Sequence, residues 1–223
     1  MQMKLAHLHL KTHETEPVWH VQLALLLAVG LQFILTNNLT VGPKYLITGF
    51  ELFLLLVLVL VRPKEKGSLL NFRHVIATIL IVFISLANIT SLVLVVHSLF
   101  GHNLATGREL ILSGVTIYLT NIIVFGLWYW ELDGDNTVSK SEGVEPVDFL
   151  FPQMTPGEHI NKPGTWAPTF FDYLYVSVTN ATAFSPTDTL PLTHRAKLLM
   201  SIQSLVSLLT IALVAARAIN ILG

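Results

Sequence analysis

The sequence predicts an all-α integral membrane protein with about five transmembrane helices and one re-entrant helix, and three observations carry that expectation. Mean hydropathy is +0.64. Apolar residues make up 52% of the 223 positions and charged residues only 12%, far below the roughly 25% charged content of soluble domains. Five apolar runs, at about 18–36, 44–61, 74–98, 109–130 and 195–221, approach the roughly 20 residues that cross a hydrocarbon core.

The elements follow in order. Residues 1–17 form a polar arm whose apolar positions are interrupted too often by His and Lys for a signal-peptide core. The first run begins after Pro17, which suits a helix start, and ends at Asn37-Asn38, whose amides compete with helical hydrogen bonds. A tight turn through Val41-Gly42-Pro43 leads to the second run, which stops at Arg62-Pro63 before a KEKG loop. Trp19 and the Trp128, Tyr129, Trp130 cluster lie at run ends, where aromatic rings favour the headgroup region. Between 131 and 168 the chain turns acidic and rich in Gly and Pro, as expected of an exposed loop or small cap. Within it, Phe149-Leu150-Phe151-Pro152 is an apolar cluster fit to dock onto the membrane portion. Residues 169–183 are apolar but too short to cross, so this segment is expected to re-enter the membrane beside a polar vestibule. The resulting partition is an arm at 1–17, a peripheral three-helix domain at 18–108 and a C-terminal module at 109–223 carrying the exposed loop 131–168. No internal repeat is evident, which argues against an inverted-repeat transporter.

The C-terminal module resembles the potassium-channel pore: a pore helix, a TTVGYGD-type filter, a D-x-x-P exit and a lining helix starting near a basic residue. Phe171, Asp172, Tyr173, Leu174, Tyr175, Ser177 and Thr179 correspond to the pore helix, and Asp188, Pro191, Thr193 and Arg195 to the exit and the start of the lining helix. The filter positions hold Thr182, Ala183, Phe184, Ser185, Pro186, Thr187 and Asp188, so both filter glycines are replaced. Phe and Pro resist the backbone geometry that points successive carbonyls at one axis. The resemblance therefore implies a two-helix pore module with a degenerate filter, not potassium selectivity. The TxFxxxDT element and WYWELDG at 128–134 are also similar to uncharacterised bacterial membrane families related to channels, of the domain-of-unknown-function kind. That similarity implies a multi-pass cell-membrane protein of the bacterial inner membrane and offers no function to transfer.

The leading expectation is an oligomeric, ion-channel-like pore, a homotetramer by the resemblance, whose path runs past Thr182, Ser185, Thr187 and Asp188, with Phe184 as a hydrophobic gate. Gln203, Ser204 and Ser207, with Ser201, recur at three- to four-residue spacing along the last helix, a pattern that fits pore lining or close helix packing. Inorganic ions and the lipid bilayer are the expected partners. The alternatives are a non-conducting scaffold or sensor on a channel-derived fold, and a proton-coupled small-molecule carrier. The carrier reading centres on Glu51, an ionisable residue about eight positions into the second run, with Gln32, Asn88 and Asn121 as candidate hydrogen-bond partners.

Composition excludes several classes. A net charge of -1 leaves no basic footprint for nucleic acid. Cysteine is absent, which removes disulfides, thiolate metal sites and cysteine nucleophiles. His7, His9 and His13 are spaced so that neither helix nor strand gathers them on one face, so no metal site is expected. No nucleophile motif, phosphate loop or H-E-x-x-H element occurs, so neither an enzyme nor a cofactor is expected. A regular arginine series is also missing, and Arg217 fits an interfacial anchor better than a gating charge. Asn38-Leu39-Thr40 and Asn88-Ile89-Thr90 match the glycosylation sequon by chance in a short loop and a hydrophobic run. Arg62, Lys64, Lys66 and Arg73 place their loop in the cytoplasm by the positive-inside rule, whereas the channel resemblance implies the opposite orientation.

Overall fold

The computed structural model describes residues 19–35, 44–60, 68–100, 106–135, 147–154, 168–182 and 188–222. The described chain is helical: α1 (Trp19–Gln32), α2 (Lys44–Leu60), α3 (Ser68–Phe100), α4 (Gly107–Asp135), α5 (Phe170–Thr182) and α6 (His194–Leu222), with a single 3-10 turn at Pro152–Met154. The strands β1 (Phe149–Leu150) and β2 (Leu190–Pro191) pair antiparallel, Phe149 opposite Pro191 and Leu150 opposite Leu190. The arm at 1–17, the turn at 41–43, the KEKG loop and the filter-like Ala183, Phe184, Ser185, Pro186 and Thr187 lie outside the described residues.

Three helices are long and apolar enough to cross a membrane: Phe72–Ser98, Gly107–Asp133 and His194–Ile219. The protein is thus an all-α membrane protein. Of the five expected spans, the first two correspond to the shorter apolar helices Trp19–Gln32 and Tyr45–Leu60. The third is longer than its apolar run, because Ser68–Phe100 is helical for 33 residues, about 50 Å at 1.5 Å per residue.

Local chemistry sets the helix starts. At α4, Thr106 Oγ1 accepts from Glu109 N at 3.3 Å while Glu109 Oε2 accepts from Thr106 N at 2.7 Å, a reciprocal capping box. At α5, Asp172 Oδ2 accepts from both Thr169 N and Thr169 Oγ1. At α6, Thr193 Oγ1 accepts from Ala196 N at 3.3 Å. Within the long helices, Ser85, Ser98 and Thr116 donate to the carbonyl four residues back, so these hydroxyls need no partner from lipid.

The chain forms two compact units divided within α4 and α6. Among the described residues, one holds 19–20 and 125–204 and the other 21–124 and 205–222. In the second unit, Leu35, Leu92, Val95, Leu110 and Ile117 form the core, with Val206 and Leu213 packed against it. Gly114 permits a close helix approach there, since a Cβ would stand 2.3 Å from Val214 Cγ2. In the first unit, Gly126 does the same for α5, with Leu174 Cα 3.2 Å from the position a Cβ would take.

Candidate functional site

The first unit is organised around α5. Its 13 residues extend about 20 Å, too short to cross a bilayer, and both of its ends are tied to neighbouring segments by buried polar contacts. Phe170, Tyr173, Val176, Ser177 and Ala181 recur every three to four residues and are buried, whereas Phe171 and Tyr175 on the other side are exposed.

Near the start of α5, Tyr173 donates its hydroxyl hydrogen to Asp133 Oδ2 at 2.5 Å. The other oxygen of Asp133 accepts from Asp148 N at 2.9 Å. The Asp148 carboxylate receives Arg195 Nε at 2.9 Å and Nη2 at 3.0 Å, a fork that Thr193 Oγ1 completes by donating to Oδ1. The Asp148 carbonyl accepts from Leu192 N at 2.9 Å and extends the short β pair. Asp133, Asp148 and Tyr173 are all completely buried. Four segments thereby meet: the end of α4, the strand before the 3-10 turn, α5 and the start of α6. Phe149 and Phe151 pack their rings against Tyr173, at 6.0 and 5.3 Å between centroids.

Near the other end of α5, Gln203 Nε2 donates to Ser177 O at 2.9 Å and to Ser177 Oγ at 2.6 Å. Gln203 Oε1 accepts from Asn180 Nδ2 at 2.8 Å and from the Tyr129 hydroxyl. Asn180 Nδ2 also reaches Met200 O at 2.9 Å, and Asn180 Oδ1 accepts from Ser204 Oγ at 3.0 Å. Every member satisfies another, the condition under which a buried polar network holds one geometry.

These contacts fix the whereabouts of the sequence candidates. Asp172 caps α5, and Thr179 turns its hydroxyl to Tyr175 O and Val176 O within its own helix. Thr182 does likewise with Val178 O and Thr179 O, and Asp188 is exposed. Gln203 and Ser204 direct their polar atoms to α5, while Ser207 accepts from Asn121 Nδ2 at 2.9 Å in the second unit. Ser201 is exposed and donates to Lys197 O. The serines expected along one side are therefore divided between a packed and an uncovered face. Only 17% of the apolar window of α6 is buried within the chain, against 67% for α4.

Two expectations are corrected. The segment 131–168 is not exposed throughout: 131–135 continue α4, and Glu131, Asp133, Asp148, Phe149, Phe151 and Met154 are buried. Tyr129 is not an interfacial ring but a fully buried member of the Gln203 network, because its hydroxyl donates to Gln203 Oε1 and accepts from Asn180 Nδ2 inside the protein.

In the second unit, Glu51 is fully buried and its Oε1 accepts from Gln32 Nε2 at 3.3 Å. Its Oε2 has no hydrogen-bond partner among the described residues. Asn88 and Asn121 do not join it, since Asn88 Nδ2 donates to Ile117 O at 3.3 Å and Asn121 to Ser207. His97 is exposed, and His102 lies outside the described residues. Among the described residues, no three His, Asp or Glu side chains gather in a way that could hold a metal ion.

Fold and site together define a helical membrane protein with a short internal helix fastened between two long ones. No family model matches the chain, and no curated protein or solved structure matches it either.

Proposed function

We propose that the chain assembles as a symmetric oligomer, a tetramer by its resemblance to the potassium-channel pore, and conducts ions along an axis bordered by residues 182–188. The observation that carries this reading is the fastening of α5. A helix too short to cross is held by Asp133 at one end and by Gln203 at the other, the arrangement needed to aim the segment that follows it at a fixed point. The largely uncovered apolar window of α6 is where another copy would pack, along Leu198, Ile202, Leu205 and Leu209, all exposed in the single chain. Asp188, exposed and immediately after the filter-like segment, supplies one carboxylate per subunit, and a ring of carboxylates favours cations.

Ion flux in proteoliposomes tests this reading. The purified protein is expected to pass cations over chloride, and Asp188→Asn to reduce that preference. Unchanged selectivity in the variant would remove Asp188 from the path.

A second reading, a non-conducting scaffold, draws on one observation: the polar side chains of Ser177, Asn180, Gln203 and Ser204 hydrogen-bond to one another within the chain. Absence of flux for every ion from a correctly folded oligomer would favour it.

A further inference from the structure

The second unit contains a cavity of about 440 Å³ whose lining includes Gln32, Thr48, Phe50, Phe83, Ala87 and Thr90. That volume falls within the range of small-molecule sites. Its walls are mostly aliphatic and aromatic. Phe50 and Phe83 meet edge to face at 5.1 Å, and both are partly exposed, so the cavity adjoins an apolar surface of helices suited to lipid. Its polar character comes from Gln32, Thr48, Thr90 and Ser91. Thr90 already donates its hydroxyl hydrogen to Leu86 O, which leaves an oxygen able only to accept. Gln32 lines the cavity and also donates to Glu51, a completely buried carboxyl group whose second oxygen lacks a donor. A buried acceptor left unsatisfied is unfavourable. Beside the polar end of this cavity one carboxyl oxygen, Glu51 Oε2, therefore lacks a donor among the described residues.

We propose that the cavity binds an amphipathic small molecule entering from the bilayer, with an apolar body against Phe50 and Phe83 and one uncharged hydroxyl head donating at the Gln32–Glu51 end. An anionic head is disfavoured there because it brings no donor for Glu51 Oε2 and stands near that carboxyl group. A hydrated, multiply polar solute is rejected because the walls cannot replace its water. The site lies outside residues 182–188 and does not depend on whether the protein conducts.

The test uses the full chain in lipid nanodiscs and a medium-chain alkanol carrying a photoreactive diazirine, with the matching alkanoate as the second probe. The alkanol is expected to label peptides of α2 and α3 saturably, with competition by unlabelled alkanol, and about tenfold more strongly than the alkanoate, the ratio for one hydrogen bond of ordinary strength. Ala87→Phe, which fills the cavity, should abolish that labelling. Thr90→Leu, at a partly exposed position that tolerates a larger side chain, should reduce it and carries the test if the first variant does not fold. Glu51→Gln, which can donate as well as accept, should narrow the preference for the alkanol. Non-saturable labelling, equal labelling by both probes, or labelling unchanged in the cavity-filling variants would overturn the proposal.

Discussion

Tyr173 donates its phenolic hydrogen to Asp133 across 40 positions of sequence, and both side chains are completely buried. Because Asp133 also receives the backbone N–H of Asp148, one carboxylate ties α5 to the segment at Asp148. Removing the phenolic donor should therefore loosen two segments together. Tyr173→Phe keeps the ring packed on Phe149 and Phe151 but removes a donor from the buried Asp133 carboxylate, and is expected to destabilise the protein by about 1–3 kcal/mol. Thermal unfolding in detergent reads this directly; a transition at the parent temperature would mean that the contact is not maintained.

Arg195 and Asp148 make a second prediction. The guanidinium side chain is 40% exposed and the carboxylate wholly buried, so losing the arginine strands a charge inside the protein while solvent softens the loss. Arg195→Ala is expected to cost about 1.5–3 kcal/mol, the range for hydrogen bonds to charged groups. Arg195→Lys should recover only part, because an ammonium cannot reproduce the two-pronged contact. Full recovery with lysine in the same unfolding assay would show that charge alone matters.

Gln203 links three helices, since it reaches Ser177 on α5 and accepts from Tyr129 on α4. Gln203→Leu preserves most of the volume and leaves those groups without their partner, a loss of at least ~2 kcal/mol if two of them remain buried. The variant should also lower ion flux with Asp188 intact, because the position of α5 is what the network sets. Flux at the parent level in a destabilised variant would separate the network from conduction.

The close approach of Gly114 to Val214 makes a packing prediction independent of the polar sites. Gly114→Ala should destabilise by about 1–3 kcal/mol through overpacking. Adding Val214→Ala should restore part of it, with a coupling of about 0.5–3 kcal/mol between the two positions. Strict additivity in the double-mutant cycle would contradict the contact.

How much of this was legible in the sequence depends on which signal each feature leaves. Apolar run length marked all the long helices, and the failure of 169–183 to reach spanning length marked α5, now Phe170–Thr182. Run length could not tell a full span from a shorter helix: Trp19–Gln32 is only 14 residues. The polar contacts were not legible. Asp133 and Asp148 lie in an acidic stretch that looks solvated, and their partners Tyr173 and Arg195 lie 40 and 47 positions further along the chain. No periodicity announces such pairs. Tyr129 was obscured by its neighbours, since a Trp-Tyr-Trp cluster at a helix end has the composition of an interfacial belt. A buried hydroxyl cannot be told from an interfacial one without knowing what faces it. The serines of α6 share a spacing, yet Ser204 and Ser207 meet different helices, and only the third dimension separates them.

The central claim is that residues 182–188 border an ion path, and the natural absence of cysteine allows it to be tested with single thiols. The measurement is ion flux through proteoliposomes bearing Ser185→Cys or Thr187→Cys, before and after a charged, membrane-impermeant thiol reagent. Modification at these positions is expected to block or strongly alter the flux, while the cysteine-free parent is indifferent to the reagent. Thiols that are fully modified yet leave the flux unchanged would contradict the claim and place any conduction elsewhere in the protein.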